Sequence, residues 1–150
     1  MTAASSYTIP SIQYWVSNFR ESSQYRCDMC NDNIDIVNRI CNIVPIWAFQ
    51  FPGNQPVIDS NFTININDQY ITYNLRGVIY FGDHHYTSGM INKDGLVWFH
   101  DGIATGRSVI FEGHLSNLSL NKCKGKYASG AIYTQQLEWV HFIIKDHCCV

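Results

Sequence analysis

The chain has 150 residues, of which 46% are hydrophobic and 15% are charged, and its formal net charge is −2. This length predicts one domain that buries about 68–70% of its unfolded surface, and the composition excludes an intrinsically disordered chain. The near-neutral charge, without any run of like charges, argues against nucleic-acid binding by bulk electrostatics.

Neither a membrane span nor secretion is predicted. The longest apolar run, residues 43–49, is far shorter than the roughly 20 residues that a membrane span needs. The first residues also lack the basic and apolar regions of a signal peptide. We therefore expect an intracellular protein, cytoplasmic or nuclear. Its six cysteines are then expected to be free thiols, metal ligands or a nucleophile rather than a disulfide framework.

The N-terminal part predicts one helix. Residues 1–10 are expected to be a disordered terminus because they are mostly polar or small. Ile12, Trp15, Val16 and Phe19 follow at helical spacing, and Ser11 is placed to cap the helix. The pattern predicts an amphipathic helix over residues 11–21.

After residue 41 the sequence predicts β-strands. Pro45 marks the start of one strand, Gly77 stands where a β-bulge could shift another, and the turn sequence Asn92-Lys93-Asp94-Gly95 closes a hairpin. We expect an α+β fold, a mostly antiparallel β-sheet with one N-terminal helix. Either the sheet closes as a barrel or, as we favour, one face needs a cover that this chain does not supply. The predicted strands are residues 43–51, 62–66, 71–75, 78–81, 85–91, 96–100, 108–112 and 128–135, followed by a tail over residues 137–150.

The hairpin brings a histidine close to an aspartate. A turn centred on Lys93 places His85 directly opposite Asp101, and cross-strand Cβ atoms lie about 4.5–5.5 Å apart. A carboxylate that accepts a hydrogen bond from one ring nitrogen leaves the other nitrogen as a base. The pair therefore predicts the orienting half of a nucleophilic triad, although any hairpin can bring some histidine near some aspartate.

Two of the cysteines have the spacing of metal ligands. Cys27 and Cys30 form a Cys-x-x-Cys pair that could bind one zinc ion, but a structural zinc site takes four ligands and the sequence shows no second pair. Two structural cysteines in a turn, or a redox pair, are the alternatives from the residues alone.

Several motifs in order resemble the ubiquitin-specific proteases. The helix is followed by Tyr25-Arg26-Cys27-Asp28-Met29-Cys30, by a proline that leads into a core strand, and by the strand Tyr73-Asn74-Leu75-Arg76-Gly77-Val78-Ile79. His85-Tyr86 then matches the Gly-His-Tyr box of that family with His84 in place of the glycine, and Trp98 precedes Asp101. The resemblance covers residues 11–136 as one domain, its C-terminal portion.

The resemblance implies the fingers and palm part of a papain-like cysteine deubiquitinase that hydrolyses ubiquitin isopeptide and peptide bonds. His85 would be the general base, Asp101 would orient it, and His84 and Tyr86 would contact the substrate. Cys27 and Cys30 would be half of a structural zinc site, with no cofactor needed for the chemistry. The partner would be ubiquitin or a ubiquitinated protein, without nucleic acid or membrane.

The family's nucleophilic cysteine box has no counterpart in this sequence. No cysteine precedes Cys27, whereas the family places its nucleophile near the start of the domain. Three interpretations remain open: the C-terminal half of a larger deubiquitinase, a catalytically inactive relative that binds ubiquitin or another protein, or an unrelated all-β binding module.

Overall fold

The computed structural model describes residues 9–18, 20–37, 40–51, 53 and 55–136. These residues form one short α-helix, one 3₁₀-helical turn at Leu115–Asn117, a separate two-stranded sheet and an eight-stranded antiparallel sheet, which confirms the predicted α+β class. The predicted tail and most of the predicted disordered terminus lie outside them. The elements are α1 Ile12–Ser17, β1 Arg20–Arg26, β2 Asn33–Val37, β3 Ile46–Gln50, β4 Asn61–Ile66, β5 Gln69–Gly82, β6 His85–Ile91, β7 Leu96–His100, β8 Ile110–His114, β9 Lys122–Cys123 and β10 Lys126–Gln135.

The helix α1 is shorter than predicted. Ser11 caps its N-terminus as expected, because its hydroxyl accepts from the backbone N–H of Tyr14. The helix ends at Ser17, where the side-chain amide of Asn18 donates to the carbonyl of Tyr14 at 2.9 Å. Asn and Ser favour helix ends over helix interiors, so the apolar spacing could not extend the helix to residue 21.

The strands β1 and β2 form an antiparallel hairpin that the prediction missed. The missed signal is the turn sequence Asn31-Asp32-Asn33, where Asn31 adopts a left-handed backbone with φ of 60°. The turn of this hairpin carries the predicted metal ligands Cys27 and Cys30.

An aromatic cluster fills the core of the large sheet. Phe62 of β4 is fully buried and stacks on its cross-strand partner Tyr73 with ring centroids 5.1 Å apart, while the ring of Tyr133 meets it edge-on at 4.9 Å. The hydroxyls of Tyr73 and Tyr133 donate to the carbonyls of Val44 and Asp59, each at 2.7 Å. These bonds satisfy the polar ends of the two buried rings.

The bulge predicted at Gly77 is present in β5. In the pairing with β10, Gly77 lies opposite Ile132 and Leu75 lies opposite Tyr133, so Arg76 is the extra residue. The buried side of the strand changes from Tyr73 and Leu75 to Val78 and Tyr80 across this point. Residues 69–82 therefore form one long strand rather than two.

The opposite face of β5 to β8 exposes aromatic and apolar side chains within the described residues. Phe81 and Tyr86 are a cross-strand pair on this face, 40% and 62% exposed, and Phe111 of β8 is 58% exposed. This agrees with the expectation of a sheet face without a cover.

None of the helices in the described part is long and apolar enough to cross a membrane.

Candidate active site

The hairpin of β6 and β7 positions the candidate catalytic pair, although in a different register from the one predicted. Ser88 pairs with His100 and Ile91 with Val97, so the turn is centred on Asp94 rather than Lys93. The loop has three residues and ends with Gly95 in the left-handed conformation at φ of 78°, a common geometry for such loops. The predicted direct opposition of positions 85 and 101 is therefore wrong.

His85 and Asp101 nevertheless meet, as diagonal neighbours on one face. Thr87 and Gly89 of β6 are buried on the core side, and His85 shares their side because alternate residues of a strand face the same way. Asp101 continues the core-facing series of β7 just beyond its last residue. Nε2 of His85 lies 2.8 Å from Oδ1 of Asp101, and the two side chains are 28% and 15% exposed.

The loop after β7 holds Asp101 in place. Its Oδ1 also accepts from the backbone N–H groups of Ile103 at 2.9 Å and Ala104 at 3.1 Å. The hydrogen bond from His85, followed by those from Ala104 and Ile103, lowers the pKa of Asp101 from 3.8 to about 2. These two N–H donors were not predicted from the sequence. An Asp followed by a polar turn, Asp101-Gly102-Ile103-Ala104-Thr105, is the signal that could have predicted them.

This geometry sets the roles of the two nitrogens of His85. Asp101 is ionised at neutral pH and can only accept, so Nε2 carries the proton of the neutral ring and Nδ1 carries the lone pair. Within the described part of the chain, Nδ1 has no hydrogen-bond partner. The arrangement can therefore accept a proton at Nδ1 while the carboxylate stabilises the resulting imidazolium.

No described cysteine lies within hydrogen-bonding distance of His85. Cys27 and Cys30 are in the β1–β2 turn, and Cys123 ends β9, where burial raises the pKa of its thiol. The described residues therefore supply a candidate base and its orienting group, and no candidate nucleophile beside them.

The two predicted substrate contacts lie on either side of His85 in sequence but not on one face. His84 is exposed and, with Asp83, forms the two-residue turn before β6, where both residues have positive φ, 58° and 53°. Tyr86 faces the other side of the sheet and packs against Phe81 with ring centroids 4.5 Å apart. His84 is thus in the turn next to His85, whereas Tyr86 lies on the sheet face opposite to His85 and Asp101.

The turn of the β1–β2 hairpin brings its two thiols together. The backbone N–H groups of Cys30 and Met29, in that order, and the thiol of Cys30 hydrogen-bond to the sulfur of Cys27 and lower its pKa. This donor pattern fits one half of a thiolate metal site. Among the described residues, however, no group of three or more His, Cys, Asp or Glu side chains could hold a metal ion.

The fold described above is similar to part of two solved chains from a DUB module. One similar solved chain belongs to the SAGA DUB module Ubp8/Sgf11/Sus1/Sgf73 bound to monoubiquitin, with a TM-score of 0.59 and 15% identity. A second belongs to the same module bound to ubiquitin aldehyde, with a TM-score of 0.57 and 14% identity. Each superposition covers 85% of this chain but only 33% and 34% of the other chain, respectively.

This chain thus spans about a third of the solved chains it resembles. At this level of identity the likeness shows a shared fold and nothing about activity. No protein-family model and no curated protein matches the sequence.

Proposed function

We propose that this chain is the base-bearing portion of a cysteine deubiquitinase of the ubiquitin-specific-protease type. The observation that carries the proposal is the 2.8 Å hydrogen bond from Nε2 of His85 to Asp101, which leaves Nδ1 unpaired among the described residues. The fold likeness to chains solved in complexes with ubiquitin and ubiquitin aldehyde supports ubiquitin as the substrate class.

In the proposed reaction His85 serves twice as a proton carrier. It first takes the proton of a cysteine thiol, and the thiolate attacks the carbonyl carbon of the C-terminal residue of ubiquitin. The imidazolium then protonates the leaving amine, and His85 deprotonates the water that releases the acyl-enzyme. Asp101 stays ionised throughout and fixes the ring orientation. The nucleophile has to come from residues outside those described.

A second candidate function is a ubiquitin-binding module without catalysis. The observation that favours it is the lack of a described cysteine beside His85. The exposed aromatic face that includes Phe81, Tyr86 and Phe111 would then serve binding alone.

Mutation of the base separates the two functions. Turnover is measured as release of a fluorogenic amine from the ubiquitin C-terminus, with the full chain and a polypeptide that supplies the cysteine box of a ubiquitin-specific protease. We expect His85→Ala to abolish turnover while ubiquitin binding, followed by NMR titration, is retained. His100→Ala is the matched control, because His100 is in the same hairpin but bonds to the carbonyl of Gly106.

The outcomes differ for each interpretation. Turnover that depends on His85 supports the deubiquitinase. Ubiquitin binding without turnover, unchanged in His85→Ala, would leave the binding module. No ubiquitin-induced NMR shift at all would contradict both and favour an unrelated β-sheet domain.

We also propose that Cys27 and Cys30 provide two of the four ligands of a structural zinc ion. The two backbone N–H groups at the sulfur of Cys27 support this, since they stabilise a thiolate. When bound, the metal would tie the turn of the β1–β2 hairpin to two further ligands from outside the described residues. Binding of Co²⁺ as a zinc substitute should give a thiolate charge-transfer band that Cys27→Ser with Cys30→Ser removes and Cys41→Ser leaves. A band unaffected by the double variant would contradict the assignment.

A further inference from the structure

A half-enclosed pocket of about 220 Å³ lies on the core side of the sheet. Its floor is formed by neighbouring strands, with Tyr80 from β5, Gly89 from β6 and Phe99 from β7. The facing wall comes from the segment between β8 and the end of β9, namely Leu118, Leu120 and Cys123. Neither His85 nor Asp101 lines it.

The strand β6 contributes no side chain to the pocket at Gly89. A Cβ atom built there would meet Cε2 of Tyr80 at 3.5 Å and Cγ1 of Val97 at 3.8 Å, which are ordinary van der Waals distances. Gly89 does not have the left-handed φ that would require glycine. A methyl group would therefore fit at this position without displacing its neighbours.

The hydroxyl group of a tyrosine borders this space. Tyr80 is only 4% exposed and lines the pocket, yet its hydroxyl forms no hydrogen bond with any described residue. The other two buried tyrosines of the core, Tyr73 and Tyr133, both donate to carbonyl oxygens. Because no described residue bonds to it, the hydroxyl of Tyr80 can donate to an acceptor that enters the pocket. Burial raises the pKa of Tyr80, which keeps its hydroxyl protonated and able to donate.

The charges around the pocket are occupied by other contacts. The ammonium group of Lys124 bonds to Glu112 at 2.8 Å and lies 4.8 Å from the ring centroid of Phe99. The ammonium group of Lys122 lies over the ring of Tyr127, 5.0 Å from its centroid. The remaining walls are mostly apolar, so the pocket favours an uncharged ligand.

We propose that this pocket binds a small neutral molecule with an aromatic or branched apolar body and one carbonyl oxygen, which accepts a hydrogen bond from the hydroxyl of Tyr80. The volume suits such a ligand, because an apolar protein cavity of roughly 150 Å³ is enough for benzene. A ring that carries one carbonyl substituent fits the larger space of about 220 Å³.

The test compares two probes on the full chain, benzamide with a carbonyl acceptor and benzene without one. Binding is followed by NMR titration of the labelled chain. In Tyr80→Phe, we expect the affinity for benzamide to fall about five-fold or more, the effect of one neutral hydrogen bond, while the affinity for benzene is unchanged. Tyr133→Phe is the matched control and should change neither, because its hydroxyl is bonded to the carbonyl of Asp59. Equal benzamide affinity in Tyr80→Phe and wild type would overturn the proposed donor.

The native thiol of Cys123 reports on the same pocket without any substitution. Benzamide at saturation should slow alkylation of Cys123 by iodoacetamide at least five-fold, while the exposed Cys30 serves as the internal reference in the same mass spectrum. Gly89→Leu, which fills the space, should abolish benzamide binding. If that variant does not fold, the protection of Cys123 in the wild type decides. Unprotected Cys123 together with benzamide shifts elsewhere on the chain would overturn the site.

Discussion

The pKa of Asp101 tests the geometry of the candidate active site directly. Replacing His85 by alanine removes the largest of the three hydrogen bonds that lower this pKa from 3.8 to about 2. Its loss should therefore recover at least a third of that difference. The value should stay below 3.8, because the N–H groups of Ala104 and Ile103 still bond to the carboxylate.

The assay is a pH titration of the carboxyl ¹³C shift of Asp101 by NMR in wild type and in His85→Ala. His100→Ala serves as the control and should leave the curve in place, because His100 bonds to the carbonyl of Gly106. A pKa of Asp101 that is identical in wild type and His85→Ala would refute the hydrogen bond on which the proposed function depends.

The same titration predicts how acid affects stability. A carboxyl group whose pKa is lowered in the folded state stabilises the fold above its unfolded pKa and loses this contribution as pH falls through the folded value. For Asp101 this window runs from about 3.8 down to about 2. The wild type should therefore lose more stability than His85→Ala over this window, as measured by urea unfolding at each pH.

Three other predictions concern the fold around the site. Phe62→Ala should lower the free energy of unfolding, measured in urea, by about 3–5 kcal/mol, since Phe62 is fully buried. The control Tyr70→Ala, at a residue 78% exposed, should change the free energy of unfolding by less than about 0.5 kcal/mol. His84→Gly should stabilise the protein by about 0.5–1 kcal/mol, because His84 has a φ of 58°, and a loss of stability would contradict this strain. Cys27, whose pKa is lowered, should be alkylated faster at neutral pH than Cys123, whose pKa is raised, and the opposite order by mass spectrometry would contradict both environments.

The strands were predictable because their signal is local. Alternation of apolar and polar residues assigns each side chain to one face of a strand, whatever lies next to it in space. The hairpin of β6 and β7 was predicted with the bounds that the structure shows, and the bulge beside Gly77 was predicted from the glycine. The face of His85 and of Asp101 follows from the same alternation.

The sequence by itself determined the α+β class, the strands that carry the candidate pair, and the face on which both residues lie. Only the tertiary structure decided the register of the hairpin, because the left-handed Gly95 moves the centre of the turn from Lys93 to Asp94. This move leaves every side chain on the same face of the sheet, so the alternation of apolar and polar residues could not reveal it. The tertiary structure also creates the pocket beside Tyr80. One wall of that pocket is a segment more than thirty residues after Tyr80 in the chain, at Leu118 to Cys123. Contacts between distant segments depend on how the strands pack, which no local pattern encodes.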